Sequence, residues 1–434
     1  METNEIVIVG VLYIVSLMLF LFYLYEKYRT EGYIFSICNA YIFQYAVILF
    51  LITPFAFTPK AWIKLLGNSA YMYASNYYPY LLKSLKINCF GFIFFIATLL
   101  KLEFSKKTPK FVRRRMNNSE RYSVDSFLDL EFLVALAIWI IYSIFILKGF
   151  SLFGSTGTSE NGTIYYINQA MQVIITIMTL YYGFCYINRK RHLKLLIIGI
   201  VACVLMGKRA TLVMDILWGM VVYILYRKAI FSRKVFNKSI KYAIVLIIIA
   251  LLIGNVRSSS GDFTLLGNLV YGNTFCDIRD GGLILYGFEN NTNSEWAMGR
   301  TYLSALLSFI PSSFSEIRTK WDWGRYSTTT LLGWKNHPGL RGGWSMEGYL
   351  NFGLIGVIIS QTMSAKVYSD MEKYFRMEMF GSGEGRIPEK AMLSLYIFII
   401  LARRITCSSG FFAEYVLILF VLFNNMIGRC IQKK

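Results

Sequence analysis

Arginine is the residue type whose placement in this sequence points to chemistry. Its guanidinium is planar, always charged, and matches two oxygens of one phosphate at a time, a fit that lysine does not reproduce. Arg257, Arg279, Arg300, Arg318, Arg325 and Arg341 punctuate the longest polar interval of an otherwise apolar chain. Arg209, with Lys208 beside it, and the pair Arg403 and Arg404 occupy short turns between apolar runs. Glycines lie beside or near Arg209, Arg279 and Arg341, in GKR, RDGG and LRGG, where they permit close approach of a backbone to a ligand. Singly, each arginine reads more simply as a surface or salt-bridged side chain. Two or three of them converging on one anion is the sharper expectation.

The densest part of the interval is its end, HPGLRGGWSMEGYLNFGLIG. Its glycines suit a tightly folded backbone, and an apolar run follows from about Glu347. If a helix begins there, Ser345 caps it and the free amides of its first turn add to anion binding. Glu347 then lies in that first turn at the membrane edge, where loss of water makes a carboxylate a stronger base. The plainer alternative is a carboxylate complementing the helix dipole. His337, close before Arg341, is a second candidate base or an orienter of a leaving group, while His192 reads as polar surface in NRKRH. Asp277 and Asp280 have a spacing that can hold a divalent ion, but without a third clear ligand, pairing with Arg279 or a neighbouring arginine is the better reading. No metal site is expected. Trp296, Trp321, Trp323, Trp334 and Trp344, with Tyr302 and Tyr326, can stack on sugar rings or sit in an interfacial belt. No P-loop, GxSxG or HExxH occurs, so any energy source must arrive with the substrate.

The elements that must position these residues are membrane helices. With 56% hydrophobic and 16% charged residues and a mean hydropathy of +0.48, the chain lies outside the soluble globular range and reads as an all-α polytopic membrane protein. Candidate spans are 6–25, 33–56, 86–101, 129–148, 165–187, 192–206, 210–226, 240–255, 347–366, 390–403 and 410–428, about eleven helices. The stretch after residue 100 carries Lys101, Lys106, Lys107, Lys110, Arg113, Arg114, Arg115 and Arg121 against Glu103 and Glu120 and is assigned to the cytoplasm. Counting spans from there puts the N-terminus outside, the C-terminus inside, and residues 256–346 outside as one large extracytoplasmic loop. The net charge of +20 is then mostly a topology signal and not a nucleic-acid surface. GKRAT and ARRITCSSG break the pattern, since both turns count as external yet carry paired cations. Either one span is miscounted, or Lys208, Arg209, Arg403 and Arg404 stand there to hold an anion. No repeat or soluble linker divides the chain, so residues 1–434 are expected to form one integral membrane domain. The tyrosine-rich stretch 57–85 suits an interfacial helix, a lid or an aromatic belt. Cys276 and Cys407 are the two cysteines placed outside the spans, and nothing forces them to pair.

In its GKR turn, late external loop and GGWSMEGYLNFGLIG stretch, the chain resembles the Wzy-type O-antigen and oligosaccharide repeat-unit polymerases. In that family a small residue, Glu, an aromatic and Asn-Phe-Gly recur at the spacing that Ser345, Glu347, Tyr349, Asn351, Phe352 and Gly353 have here. The resemblance implies a GT-C-like, metal-independent glycosyltransferase of the bacterial inner membrane with no cofactor. It would pass a growing glycan from undecaprenyl diphosphate to a lipid-linked repeat unit. Its partners would be that lipid-linked oligosaccharide, membrane lipid and a Wzz-type chain-length regulator. Arg341 with Glu347 or His337 would carry the chemistry, and Lys208, Arg209, Arg279, Arg300, Arg325, Arg403 and Arg404 would grip the diphosphate. The related O-antigen ligases, whose His and Arg spacing is not met by His337 and Arg341, and a lipid-linked oligosaccharide flippase are the rival readings. A flippase would place its charges within spans, where Asp215 and Glu414 are among the few carboxylates.

Overall fold

The computed structural model describes residues 2–31, 37–57, 68–103, 125–146, 163–206, 277–292, 294–311, 314–335, 339–381, 402, 404–408 and 411–432, and these contain helices and no strand. In order the helices are α1 (Glu2–Glu31), α2 (Ile37–Val47), α3 (Asn68–Glu103), α4 (Asp125–Phe145), α5 (Thr163–Arg189), α6 (Leu193–Leu205), α7 (Asp277–Asn290), α8 (Arg300–Leu306), α9 (Glu316–Trp321), α10 (Trp323–Arg325), α11 (Met346–Gly381) and α12 (Phe412–Gln432).

Five helices among the described residues are long and apolar enough to cross a membrane: Asn4–Thr30, Asn76–Glu103, Leu128–Phe145, Tyr166–Arg189 and Met346–Tyr374. They match the expected spans 6–25, 86–101, 129–148, 165–187 and 347–366. Shorter apolar helices stand where 33–56, 192–206 and 410–428 were expected, at Tyr41–Leu51, Leu193–Leu205 and Phe412–Asn424. Spans 210–226 and 240–255 and almost all of 390–403 lie outside the described residues. The stretch 57–85 is not a separate interfacial element throughout, because from Asn68 onward it is the first part of α3, which runs through Pro79 without a break.

The chain forms two compact units rather than a single body. The first comprises Met1–Ser105, Ile244–Ser369 and Leu401–Gly410. Side-chain pairs give the course of its first three helices. Tyr13 meets Phe50, Phe20 meets Phe43, and the Tyr23 hydroxyl donates to Asn39, so α1 and the α2 segment run antiparallel. Phe20 meets Phe92, and Lys27 pairs with Glu103 at 3.2 Å, so α1 and α3 run parallel. Lys27 and Glu103 are both buried, and the Tyr23 hydroxyl also donates to Glu103 at 3.0 Å. Such a pair adds little net stability, but breaking it strands a buried charge, so it fixes how far α1 slides along α3.

The polar interval folds onto the other end of α3. Its second half is four short helices gathered around a core of Leu283, Leu285, Trp321, Trp323, Tyr326 and Leu340, with Ile87 of α3 and Leu350 of α11 joining it. The second unit comprises Lys106–Ala243, Asp370–Ile400 and Phe411–Lys434. There Phe132, Trp139, Met178, Tyr182 and Phe420 belong to a core that joins α4, α5, α6 and α12. His192 adopts a left-handed backbone in the α5–α6 turn, with Nδ1 3.6 Å from Asp129.

Candidate active site

Two glycines of RDGG let α7 lie against α3. A Cβ on Gly282 would fall 2.9 Å from Leu81 Cδ2 and 3.2 Å from the Leu81 backbone nitrogen. The expectation that glycine here frees backbone for a ligand is therefore corrected: the space is taken by a neighbouring helix. What the close packing does is set Asp277, Arg279 and Asp280 at the start of α7. Buried Asp280 uses both oxygens. Its Oδ1 accepts from Arg279 Nε at 3.0 Å and Nη2 at 2.7 Å, and its Oδ2 accepts the backbone N–H of Arg341 at 3.2 Å. Arg341 Nε stands 3.9 Å from Asp277 Oδ1, with the Arg341 side chain 52% exposed against 12% for Arg279. The expected pairing of the two aspartates with arginines is thus what the structure shows.

Arg404 joins this group through Cys407, which lies within electrostatic reach of Arg404, Asp277, Arg341 and Glu347. Burial pushes the Cys407 thiol up to about 12, the Glu347 carboxylate adding to the rise and Arg404 opposing it. Cys407 is a free thiol, and Cys276 lies outside the described residues. Arg279, Arg341 and Arg404 are therefore brought to one neighbourhood from three distant stretches of chain. Three arginines and the acids Asp277, Asp280 and Glu347 thus share this neighbourhood, and Arg341 is half-exposed there.

The turn that delivers Arg341 depends on glycine. Gly342 and Gly343 have φ of 66° and 80°, and a Cβ on Gly343 would lie 2.5 Å from Asn88 Oδ1. Asn88 is fixed in turn by the Tyr45 hydroxyl, which donates to it at 2.7 Å. Ser345 stands at the start of α11 as expected, its carbonyl accepting the Tyr349 N–H at 3.0 Å.

α11 is not one straight span. Helical geometry breaks at Phe352 and Gly353, and the turns before the break fold back on those after it. Gly348 meets the Gly356 carbonyl and Ser360 Oγ, where an added Cβ would lie 2.8 and 2.7 Å away. Gln361 Nε2 donates to the Trp344 carbonyl at 2.6 Å. Trp344 is layered between Tyr45, at 4.3 Å, and Tyr368, at 6.1 Å. Only a re-entrant turn running antiparallel to the rest of α11 makes all these contacts, since residues eight apart on one helix are about 12 Å apart.

This fold-back changes the setting of Glu347. It occupies the first helical turn, as expected, but it is 1% exposed and not at a wet membrane edge. Its Oε1 accepts from Thr301 Oγ1 at 2.7 Å and from the Ser408 hydroxyl, and its Oε2 accepts the Ser408 N–H at 2.5 Å. Asn351 completes the arrangement. Its Nδ2 donates to Thr301 Oγ1 at 2.7 Å and to the Glu347 carbonyl at 2.8 Å, while its Oδ1 accepts the Gly299 N–H at 2.7 Å. Glu347 and Asn351 thereby tie the start of α8, the re-entrant turn and the 404–408 turn together. Sequence reasoning missed Thr301 and Ser408, which have no motif of their own; the only available signal was the i, i+4 spacing of Glu347 and Asn351.

Other expected members take different places. Arg300 pairs with Glu295 at 3.0 Å and lies over Trp321 at 4.6 Å, and Lys320 holds the second Glu295 oxygen at 2.8 Å. Arg318 donates to the carbonyls of Ser308 and Ile310, which fits it to close a loop. Arg325 is exposed on α10. Trp321 and Trp323 are buried in the core and Trp344 is stacked, whereas Trp296 is half-exposed and Trp334 partly buried. Lys208, Arg209, Arg257, His337 and Arg403 lie outside the described residues. Among the described residues no group of three His, Cys, Asp or Glu side chains is placed to hold a metal ion. Comparison with protein-family models, with curated proteins and with solved structures gives no match for this chain.

Proposed function

We propose that the chain is a membrane glycosyltransferase of the polysaccharide-polymerase type, joining glycan repeat units carried on a polyprenyl diphosphate. The observation that carries this reading is the gathering of Arg279, Arg341 and Arg404 beside the head of a membrane-length helix. An anion that reaches such a site while its tail stays in the bilayer is a lipid-borne phosphate or diphosphate.

In this reading the bond between the anomeric carbon and the diphosphate oxygen breaks as an acceptor hydroxyl adds to that carbon. The arginines stabilise the charge that grows on the departing diphosphate. The hydroxyl proton passes to a base, for which His337 and Glu347 are the candidates. Because Glu347 is enclosed by Thr301 and Ser408, it meets an acceptor only if that enclosure opens on binding. Otherwise it positions the site and His337 is the base.

The test is to incubate the purified chain with a lipid-linked repeat unit, without metal or nucleotide, and resolve the products by size. Elongated glycan lost in Arg341→Ala supports the reading. Transfer only to a lipid A core acceptor supports the ligase instead, and no transfer at all overturns both.

A further inference from the structure

The stretch built on α8 is packed inside out. Thr301, Ser304, Ala305 and Ser308 are buried, while Leu303, Leu306, Phe309 and Phe314 are exposed, Phe314 to 82%. A helix standing in water buries its leucines and shows its serines. Here small and polar residues meet the body of the protein, and large apolar ones face away from it. Lipid surroundings give that distribution, because small residues let backbones approach and an outward apolar face carries no penalty. Composition agrees with packing. From Thr301 to Ser315 the chain has no charged residue, and the charge of Arg300 just before is held by Glu295.

Backbone groups are closed within the same stretch. The Leu303 N–H donates to the Gly299 carbonyl at 3.0 Å, the Ile310 N–H to that of Leu307 at 2.9 Å and the Phe314 N–H to that of Pro311 at 3.0 Å. The carbonyls of Ser308 and Ile310, past the end of α8, accept from Arg318 Nη1. Water would satisfy such carbonyls unaided, whereas in hydrocarbon they need a donor from the protein.

What covers this face follows from what it continues. Ile355, Ile359 and Met363 form an exposed apolar stripe on Met346–Tyr374, a helix long and apolar enough to cross a membrane. The stripe leads to exposed Phe352 and Leu354 at the re-entrant turn. α8 begins against that turn. The Ala297 N–H donates to the Leu350 carbonyl at 3.0 Å, the Gly299 N–H donates to Asn351, and a Cβ on Gly299 would lie 3.1 Å from Phe352 Cζ. Leu303 stands one helical turn beyond Gly299 on the same face, and Leu306 follows it after three residues. The exposed face of α8 is thus an extension of the outward face of the span.

We infer that residues 299–311, with Phe314, form an interfacial element sunk into the adjoining bilayer leaflet, with Leu303, Leu306, Phe309 and Phe314 against lipid acyl chains. The sequence count had placed them in one large external loop. The inference does not depend on the chemistry proposed for the arginine site. Its bearing on that site is positional: Thr301, on the buried face of α8, donates to Glu347, so the depth of α8 sets the depth of the Glu347 enclosure.

The test puts a benzophenone amino acid in place of Leu303, Phe314, Ile359 or Lys320, one at a time, in the full-length chain. All four side chains are exposed, so the core stays intact. Each protein is reconstituted in vesicles of phosphatidylethanolamine and phosphatidylglycerol, irradiated, and read by intact mass and on gels. Lipid adducts are expected at 303 and 314 in a yield comparable to that at 359, and are expected to be lost at 320, where Lys320 pairs with Glu295 on the polar side. Lipid adducts at 359 but not at 303 and 314 overturn the inference: crosslinked dimers at those two positions assign the face to a second copy, and no adduct assigns it to water. Equal lipid yield at 320 overturns it as well, since the stretch would then have no polar side. Lipid adducts at none of the four positions overturn it together with the membrane placement of Met346–Tyr374. Each of these outcomes leaves the glycosyltransferase assay to be decided on its own result.

Discussion

Asp280 Oδ2 accepts the backbone N–H of Arg341 at 3.2 Å, across sixty-one positions of sequence. The other oxygen of the same buried carboxylate holds Arg279 at 2.7 Å. One side chain thus fixes both the arginine at the start of α7 and the turn that presents the arginine before α11.

Removing that carboxylate leaves a nearly buried guanidinium without its closest counter-charge. Asp280→Ala is expected to destabilise the fold by about 3 kcal/mol, the usual cost of breaking a buried pair from one side. Asp280→Asn keeps an acceptor for the Arg341 N–H and should cost less. Thermal unfolding of the two variants in detergent checks the order, and equal stabilities would remove Asp280 from its proposed place.

Gly343 and Gly353 both have positive φ, but only Gly343 faces a crowded neighbour. Gly353 combines φ 62° with ψ −149°, a region open essentially to glycine alone, so Gly353→Ala should cost about 1 to 3 kcal/mol from backbone strain. Gly343→Ala adds a clash with Asn88 to its own positive φ and should cost about 2 to 3 kcal/mol. Unchanged denaturant or thermal unfolding in Gly343→Ala would contradict the geometry of the RGG turn.

Glu347 accepts three hydrogen bonds from Thr301 and Ser408 within a buried enclosure. Glu347→Ala should therefore lower stability by about 3 kcal/mol or more, and Thr301→Val by about 1 to 2 kcal/mol. A residue needed only as a base would instead lose activity at unchanged unfolding temperature. Measuring both quantities on Glu347→Gln separates the roles, because the amide keeps the shape but presents N–H groups to donors.

Glu295 is exposed and lies between Lys320 and Arg300, which hold its carboxyl below the ordinary value of 4.5. A depressed carboxylate contributes stability above its unfolded value and loses it as pH falls through the folded one. Stability should therefore drop below about pH 4.5 with a component that added salt weakens. Glu295→Gln should flatten that component; an unchanged acid limb in the variant would mean the pair contributes nothing measurable.

Much of the architecture is a matter of composition and run length. Apolar runs long enough to cross a bilayer must become helices, because no water is there to satisfy an exposed backbone. For that reason 6–25, 129–148 and 165–187 are legible from sequence within a few residues of where the helices stand, and 86–101 lies inside a helix that begins earlier, at Asn76. Asp277 and Asp280 were also legible as partners of arginine, since a carboxylate taken out of water needs a counter-charge, although the pairs formed join sequence neighbours and distant stretches.

Tertiary structure decided the rest. An apolar run does not say whether it crosses straight or doubles back, and 344–361 folds on itself because Gly348 and Gly356 admit backbone contact and Phe352 and Gly353 break the helix between them. Hydropathy averages over that break. Nor does a sequence say which arginine meets which carboxylate when the two are separated by long stretches: Arg279, Arg341 and Arg404 converge because α7 seats on α3, whereas Arg300 and Arg318 are taken by Glu295 and by loop carbonyls. Charge type is written residue by residue, but proximity is set by packing, and packing depends on every helix at once.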